Sequence, residues 1–209
     1  MQKDLPADSK GRDCYLWQTG GVSRESFSVS HTWEDIRNAA PSVTWYEAVW
    51  FKGHTPKHAF TFWVTNKGRL PLRPRLLKWG IGSSDLCYLC NRYEETREHL
   101  FLHCEVSIQI TRLLLARLGE PTTVFADWSS FITWMLGPSP FMPKIIKLLA
   151  TQSTVFYLWK ERNARLHDNV SRSANVIFRL VDRSVRDAIL ARNKTKASFL
   201  LSSWFLHKS

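Results

Sequence analysis

Cys87-Tyr88-Leu89-Cys90, followed by Glu98-His99-Leu100-Phe101-Leu102-His103-Cys104, gathers three of the chain's four cysteines and two of its seven histidines. The spacing is C-x2-C-x8-H-x4-C. Two thiolates from a tight turn, with an imidazole and a third thiolate from a short helix, can close a tetrahedron around one zinc ion. Four protein ligands leave no open coordination position, so the expected metal is structural rather than catalytic. His99 and His103 lie one helical turn apart and can both face a metal, while Cys104 competes with His103 for the last position. A two-Cys two-His finger keeps about twelve residues between its second Cys and its first His, and only eight stand here. Thiolate is also the softer donor. The expected ligands are therefore Cys87, Cys90, His99 and Cys104, with His103 behind them or at the surface. Packed free thiols or a C-x-x-C redox pair would explain two cysteines, but not a third beside a histidine. Cys14 stands far away and reads as a packed residue.

Just before this cluster come Lys67, Arg69, Arg73, Arg75 and Lys78, with no acid among them and with Leu70, Leu72, Leu76, Leu77 and Trp79 between. One reading is a phosphate-facing stripe. The rival is an amphipathic segment whose leucines are core and whose cations are merely solvated. The metal site next door and a net charge of +11 favour the first, with RNA or DNA as the anionic partner. No residue is assigned a catalytic role. A polymerase needs paired aspartates for two magnesium ions, and the chain has no Asp-Asp pair, no Walker-type phosphate loop and no Gly-x-Ser-x-Gly elbow. A metal-dependent nuclease could recruit His54, His58 and His103, yet no acidic cluster stands ready for magnesium.

The elements that must position these residues are mostly helices. Gly20-Gly21 marks a turn after Cys14 to Trp17, and the alternation in Ser26-Phe27-Ser28-Val29 predicts the second strand of a small N-terminal β-hairpin. Ser30 is the expected cap of a helix from His31 to Ala39. Trp45 to Phe51 reads as a brief helix ending at Gly53. Thr55 and Pro56 open a clearer one that Gly68 closes, with Phe60, Trp63 and Val64 expected on its buried face. After Cys104 the pattern is helical to the end: Val106 to Leu118, then an apolar face of Phe125, Trp128, Ile132 and Met135 closed by Gly137-Pro138, then a long helix from Pro143 to about His167. A last pair is expected at roughly Ser173 to Arg192 and Phe199 to Leu206. Asn163 falls on the apolar stripe of the long helix, so it needs a hydrogen-bond partner if buried. The fold class is thus mainly α, a multi-helical domain with a small N-terminal β-hairpin and an embedded structural zinc site. The expected organisation is a loose N-terminus at 1–12, a zinc-bearing domain at 13–137 and a C-terminal helical hairpin at 141–209. No apolar run approaches a membrane span, no secretory h-region is visible in Met1 to Arg12, and unpaired thiols point to cytosol or nucleus.

These residues carry a resemblance. Trp45…Val49-Trp50, Pro56-Lys57…Phe60…Trp63, Arg69-Leu70-Pro71, Arg75-Leu76, Cys87-x-Leu89-Cys90, Glu95…Glu98-His99-Leu100-Phe101 and Cys104 resemble the zinc-binding region downstream of the polymerase in plant LINE-type retrotransposon reverse transcriptases. Asp13, Trp17 and Phe27-Ser28-Val29 are similar to its opening, and Trp159-Lys160-Glu161-Arg162-Asn163 with Arg165 and His167 to the tail that often follows. Ile110 stands where that family tends to place a Trp. The resemblance implies a non-catalytic zinc module that assists the handling of RNA or target DNA. A domesticated remnant, inert or bound to a protein partner, is the alternative it leaves.

Overall fold

The computed structural model describes residues 15–37, 41 and 43–206. Asp13, Cys14 and the polar stretch 1–12 lie outside the described residues. Two compact units are present, one ending at Val43 and the other beginning at Thr44.

In the first unit, β1 (Trp17–Thr19) pairs antiparallel with β2 (Val22–Arg24). Gly20 and Gly21 both have positive φ, 56° and 75°. A two-residue turn of that kind suits the twist of a hairpin, and it requires the strands to flank it directly. The second strand is therefore Val22–Arg24, and the expected strand at Ser26 to Val29 is instead the approach to a helix. That helix, α1 (Val29–Ile36), is entered from Ser28 rather than Ser30. It is tied to the hairpin by Trp17 Nε1 donating to Thr32 Oγ1 at 2.9 Å and by the Gly20 amide donating to Asp35 Oδ1 at 3.0 Å.

The second unit holds α2 (Tyr46–Val49), α3 (Pro56–Asn66), α4 (Arg73–Lys78), α5 (Glu105–Leu118), α6 (Trp128–Leu136), α7 (Lys144–His167), α8 (Ala174–Leu190) and α9 (Lys194–Phe205). Pro56 takes the first position of α3, where its missing N–H costs nothing. Its buried face is His58, Ala59, Phe62 and Thr65, and not the one expected. Phe60 is exposed, and Trp63 and Val64 are only half-buried. Polar His58 and Thr65 disguise the true stripe, because each finds a partner inside: Thr65 Oγ1 donates to Thr61 O at 2.8 Å, and His58 Nδ1 meets Ser153 Oγ at 3.1 Å. Gly119, at φ 69°, ends α5 in the left-handed conformation. Asp127 and Ser130 form a reciprocal capping box at the start of α6.

The 24-residue α7 organises this unit. Free of Gly and Pro, it is buried on every side from Ile146 to Val155, so the single apolar stripe read from its sequence is too narrow. Most polar groups of that stretch find partners inside, Gln152 Oε1 being the exception among the described residues. Gln152 Nε2 donates to Ala48 O and Val49 O at 2.7 and 2.9 Å, occupying the carbonyls left open at the end of α2. Two apolar cores result. Phe62, Leu100, Phe101, Ile110, Trp128, Phe131, Met135 and Leu158 belong to one; Leu114, Leu118, Ile146, Leu149, Val181, Val185, Ile189 and Trp204 belong to the other. Helices α5 and α7 contribute to both.

Candidate metal centre and basic segment

The four expected donors converge. Ligand atoms of Cys87, Cys90, His99 and Cys104 all lie within 4.8 Å of one another, and Cys90 Sγ is 3.2 Å from His99 Nε2. In a zinc tetrahedron with bonds near the usual lengths, donor atoms sit about 3.5–4 Å apart. The cluster is suited to one zinc ion, and its ligand types are those of a closed structural site.

Local geometry explains the choice of fourth donor. Residues His99–His103 form a π-helical turn, closed by the Cys104 amide donating to His99 O at 2.7 Å. This wider winding brings positions five apart toward one side, where an α-helix would align positions four apart. His99 and Cys104 therefore meet. His103 turns away and is hydrogen-bonded through Nε2 to Phe125 O at 3.0 Å. Ser107 Oγ donates to Leu100 O at 2.5 Å and locks the π turn onto α5.

The electrostatics are those of buried sulfurs in want of a cation. The Cys87 thiol is pushed up, first by its hydrogen bond to Cys104 and then by burial. That same bond lowers Cys104, which the backbone amides of Val106 and Ser107 at the start of α5 also favour as thiolate. His99 is lowered by burial and by neighbouring His103, which leaves it neutral, the form a metal binds.

A second layer holds this turn in place, and it depends on residues whose role the spacing of motifs does not reveal. Glu95 is fully buried. Its Oε1 accepts from Arg162 Nη2 at 2.6 Å and from the Arg73 amide at 3.0 Å, and its Oε2 accepts from the Tyr88 amide at 3.1 Å. From α7, Arg165 Nη1 donates to Leu89 O at 2.6 Å. Glu161, buried, is held between Arg165 and Arg172. Burial alone would raise its pKa, but the Arg172 amide and the two guanidinium groups overcome this and hold it below the ordinary range. The only sign of Glu95, Arg162 and Arg165 in the sequence is their place in the family resemblance.

The five cations of the basic segment have different fates. Lys67, Arg69 and Lys78 are exposed, with Lys67 Nζ 5.5 Å from the centre of the Trp45 ring. Arg75 folds back on the preceding turn, donating to Gly68 O at 2.6 Å and Leu70 O at 3.3 Å, and shares a shallow cleft with Lys78. Arg73 points inward: Nε donates to Ser84 O at 2.7 Å, Nη1 donates to Leu86 O at 2.9 Å, and its guanidinium stacks 4.1 Å from the Tyr88 ring centre.

A mainly helical chain with a Cys3His cluster suited to one zinc ion, and no helix among the described residues long and apolar enough to cross a membrane, defines a helical module of the zinc-binding type. Residues 27–110 match the family described as zinc-binding in reverse transcriptase, and all four donors fall inside the match. Over that segment the chain is similar to a zinc-binding region associated with reverse transcriptases. No curated protein and no solved structure matches the chain.

Proposed function

We propose that the chain is a non-catalytic zinc module, derived from a LINE-type retrotransposon reverse transcriptase, that binds RNA or DNA through phosphate contacts with little base specificity. The observation that carries this reading is the Cys3His cluster lying next in sequence to exposed Lys67, Arg69 and Lys78. Zinc fixes the turn, and Glu95, Arg162 and Arg73 brace it against α7. The exposed cations, with Arg75 beside them, then meet the backbone. Within the five, Arg73 serves as a positioning residue, since it points inward and its Nε and Nη1 donors are committed to Ser84 O and Leu86 O.

Counterion release makes such binding fall steeply with salt, roughly in proportion to the number of phosphates neutralised. An anisotropy titration at several salt concentrations tests this. Replacing Lys67, Arg69 and Lys78 together with Ala is expected to weaken binding to all sequences and to flatten the slope by about three charges. Binding insensitive to salt sinks the reading, and a folded, zinc-loaded chain with no nucleic-acid affinity supports the domesticated-remnant alternative.

A further inference from the structure

Beside the metal centre, between α4, the loop that follows it and the C-terminal half of α7, lies a cavity of about 480 Å³. That is within the range of small-molecule sites. Its walls include Tyr88, which sits between two metal ligands, and Trp159 and Asn163 from α7. Beneath them, cations and rings alternate. The Arg73 guanidinium lies 4.1 Å from the Tyr88 ring centre, and that of Arg162 lies 4.9 Å from both the Tyr88 and the Trp159 rings.

The hydrogen-bonding state of this wall selects the ligand. Arg73 and Arg162 look like an anion site, but Arg73 Nε and Nη1 are bonded to Ser84 O and Leu86 O, and all three Arg162 nitrogens are bonded to Glu95, Asn163 Oδ1 or Pro71 O. With the Glu95 carboxylate already paired to Arg162 and only Arg73 Nη2 left without a partner among the described residues, a phosphate or carboxylate inside the cavity would find little uncommitted positive charge. Neutral groups remain. The Tyr88 hydroxyl, Trp159 Nε1 and Asn163 Nδ2 have no partner among the described residues. Arg162 Nη1 donates to Asn163 Oδ1 at 3.0 Å, which fixes the amide with its NH2 as the free edge. Flat aromatic surface with a few neutral donors suits a planar, uncharged, hydrogen-bonding ring. Lys78 and Lys160, exposed on the two helices that form the walls, supply charge outside it.

We infer that this cavity receives one unpaired nucleobase of a single-stranded nucleic acid, stacked against Trp159 and Tyr88 and hydrogen-bonded at its edge by Asn163, while phosphates on either side stay at the basic surface. The inference rests on the phosphate-binding reading and adds to it a preference for single strands, because a base inside a duplex cannot enter. It also links metal to ligand, since Tyr88 is carried by the Cys87–Cys90 turn.

The test uses the full zinc-loaded chain and a short single strand containing 5-iodouracil, with a perfectly paired hairpin of similar length as control. After irradiation, cross-links mapped by mass spectrometry are expected at Tyr88 or Trp159. In anisotropy titrations, Trp159→Leu is expected to weaken single-strand binding about ten-fold and leave hairpin binding unchanged. Asn163→Ala, which removes no packing from the core, is expected to act in the same direction by a smaller factor. Cross-links confined to exposed aromatics such as Trp50 or Phe60, or equal loss for strand and hairpin in both variants, overturn the inference. If single-strand binding survives both cavity variants but is lost with Lys67, Arg69 and Lys78, the phosphate reading stands and the base site does not. If neither nucleic acid binds, both fall.

Discussion

The segment 86–104 and the α7–α8 pair keep their shapes by different means. In α7 and α8 the backbone bonds are internal to each helix, and the seam between them is apolar, with Ile146, Leu149, Val181, Val185 and Ile189 buried. Between Leu86 and Cys104 there is one isolated bridge, Leu86 to Glu94, and a single π-helical turn. That much irregular backbone cannot satisfy its own hydrogen-bonding groups. Side chains from elsewhere do it: Arg73 on Ser84 O and Leu86 O, Arg165 on Leu89 O, and Glu95 on the Tyr88 amide. The four metal donors close what remains. Metal donors and buried charge thus add to the packing of Leu89, Leu100, Phe101 and Leu102 where the chain is least regular.

Removing the metal is expected to break this contrast most strongly, because ligand binding in structural zinc sites contributes directly to folding, by about 10 kcal/mol or more in small peptides. Chelation should abolish amide-exchange protection over 86–104 and leave much of α7 and α8 protected; equal loss in both would show that the ion holds the whole unit. Cys104→Ser should lose the ion, while His103→Ala should keep one zinc per chain by elemental analysis. Next in size, Arg162→Met strands the buried Glu95 carboxylate and is expected to cost about 3–5 kcal/mol in chemical denaturation. A loss no larger than that of an exposed ion pair would mean that Glu95 gains little from α7.

His58 gives an intermediate effect. Burial, and then nearby Lys57, lowers its pKa from 6.5 to about 4. The unfolded chain therefore takes up this proton at a higher pH than the folded one, so stability is full above pH 6.5 and falls as the pH drops toward 4. At pH 5 the loss from this group is about 2 kcal/mol. His58→Gln should flatten the fall in Tm between pH 7 and pH 5, and an unchanged slope would assign it to other groups, Glu161 among them at still lower pH. The smallest change is expected in the helical pair itself, where Ile189→Val should cost about 1 kcal/mol with zinc content unaltered.

Much of this was legible in the sequence. Cysteine and histidine spacing singled out the four donors, since ligand chemistry is local and few residue types can provide it. Helices α3 and α5 to α8 followed from periodicity and from caps such as Thr55-Pro56 and Gly119. The second strand was misplaced because alternation over four residues is weaker than the demand of a two-glycine turn. The buried face of α3 was missed because His58 and Thr65 look like surface residues until their partners are known.

What the sequence determined by itself was therefore short-range: the donor set, the helical period and the turn glycines, each fixed by bonds and rotations within a few residues. Tertiary structure alone decided that α7 is buried on every side and that Glu95 and Arg162, 67 positions apart, form a buried ion pair. It also decided that Arg73 turns inward while Lys67, Arg69 and Lys78 stay in solvent. A charge is committed or exposed according to which distant backbone groups lie within its reach, and that distance exists only once the chain has folded.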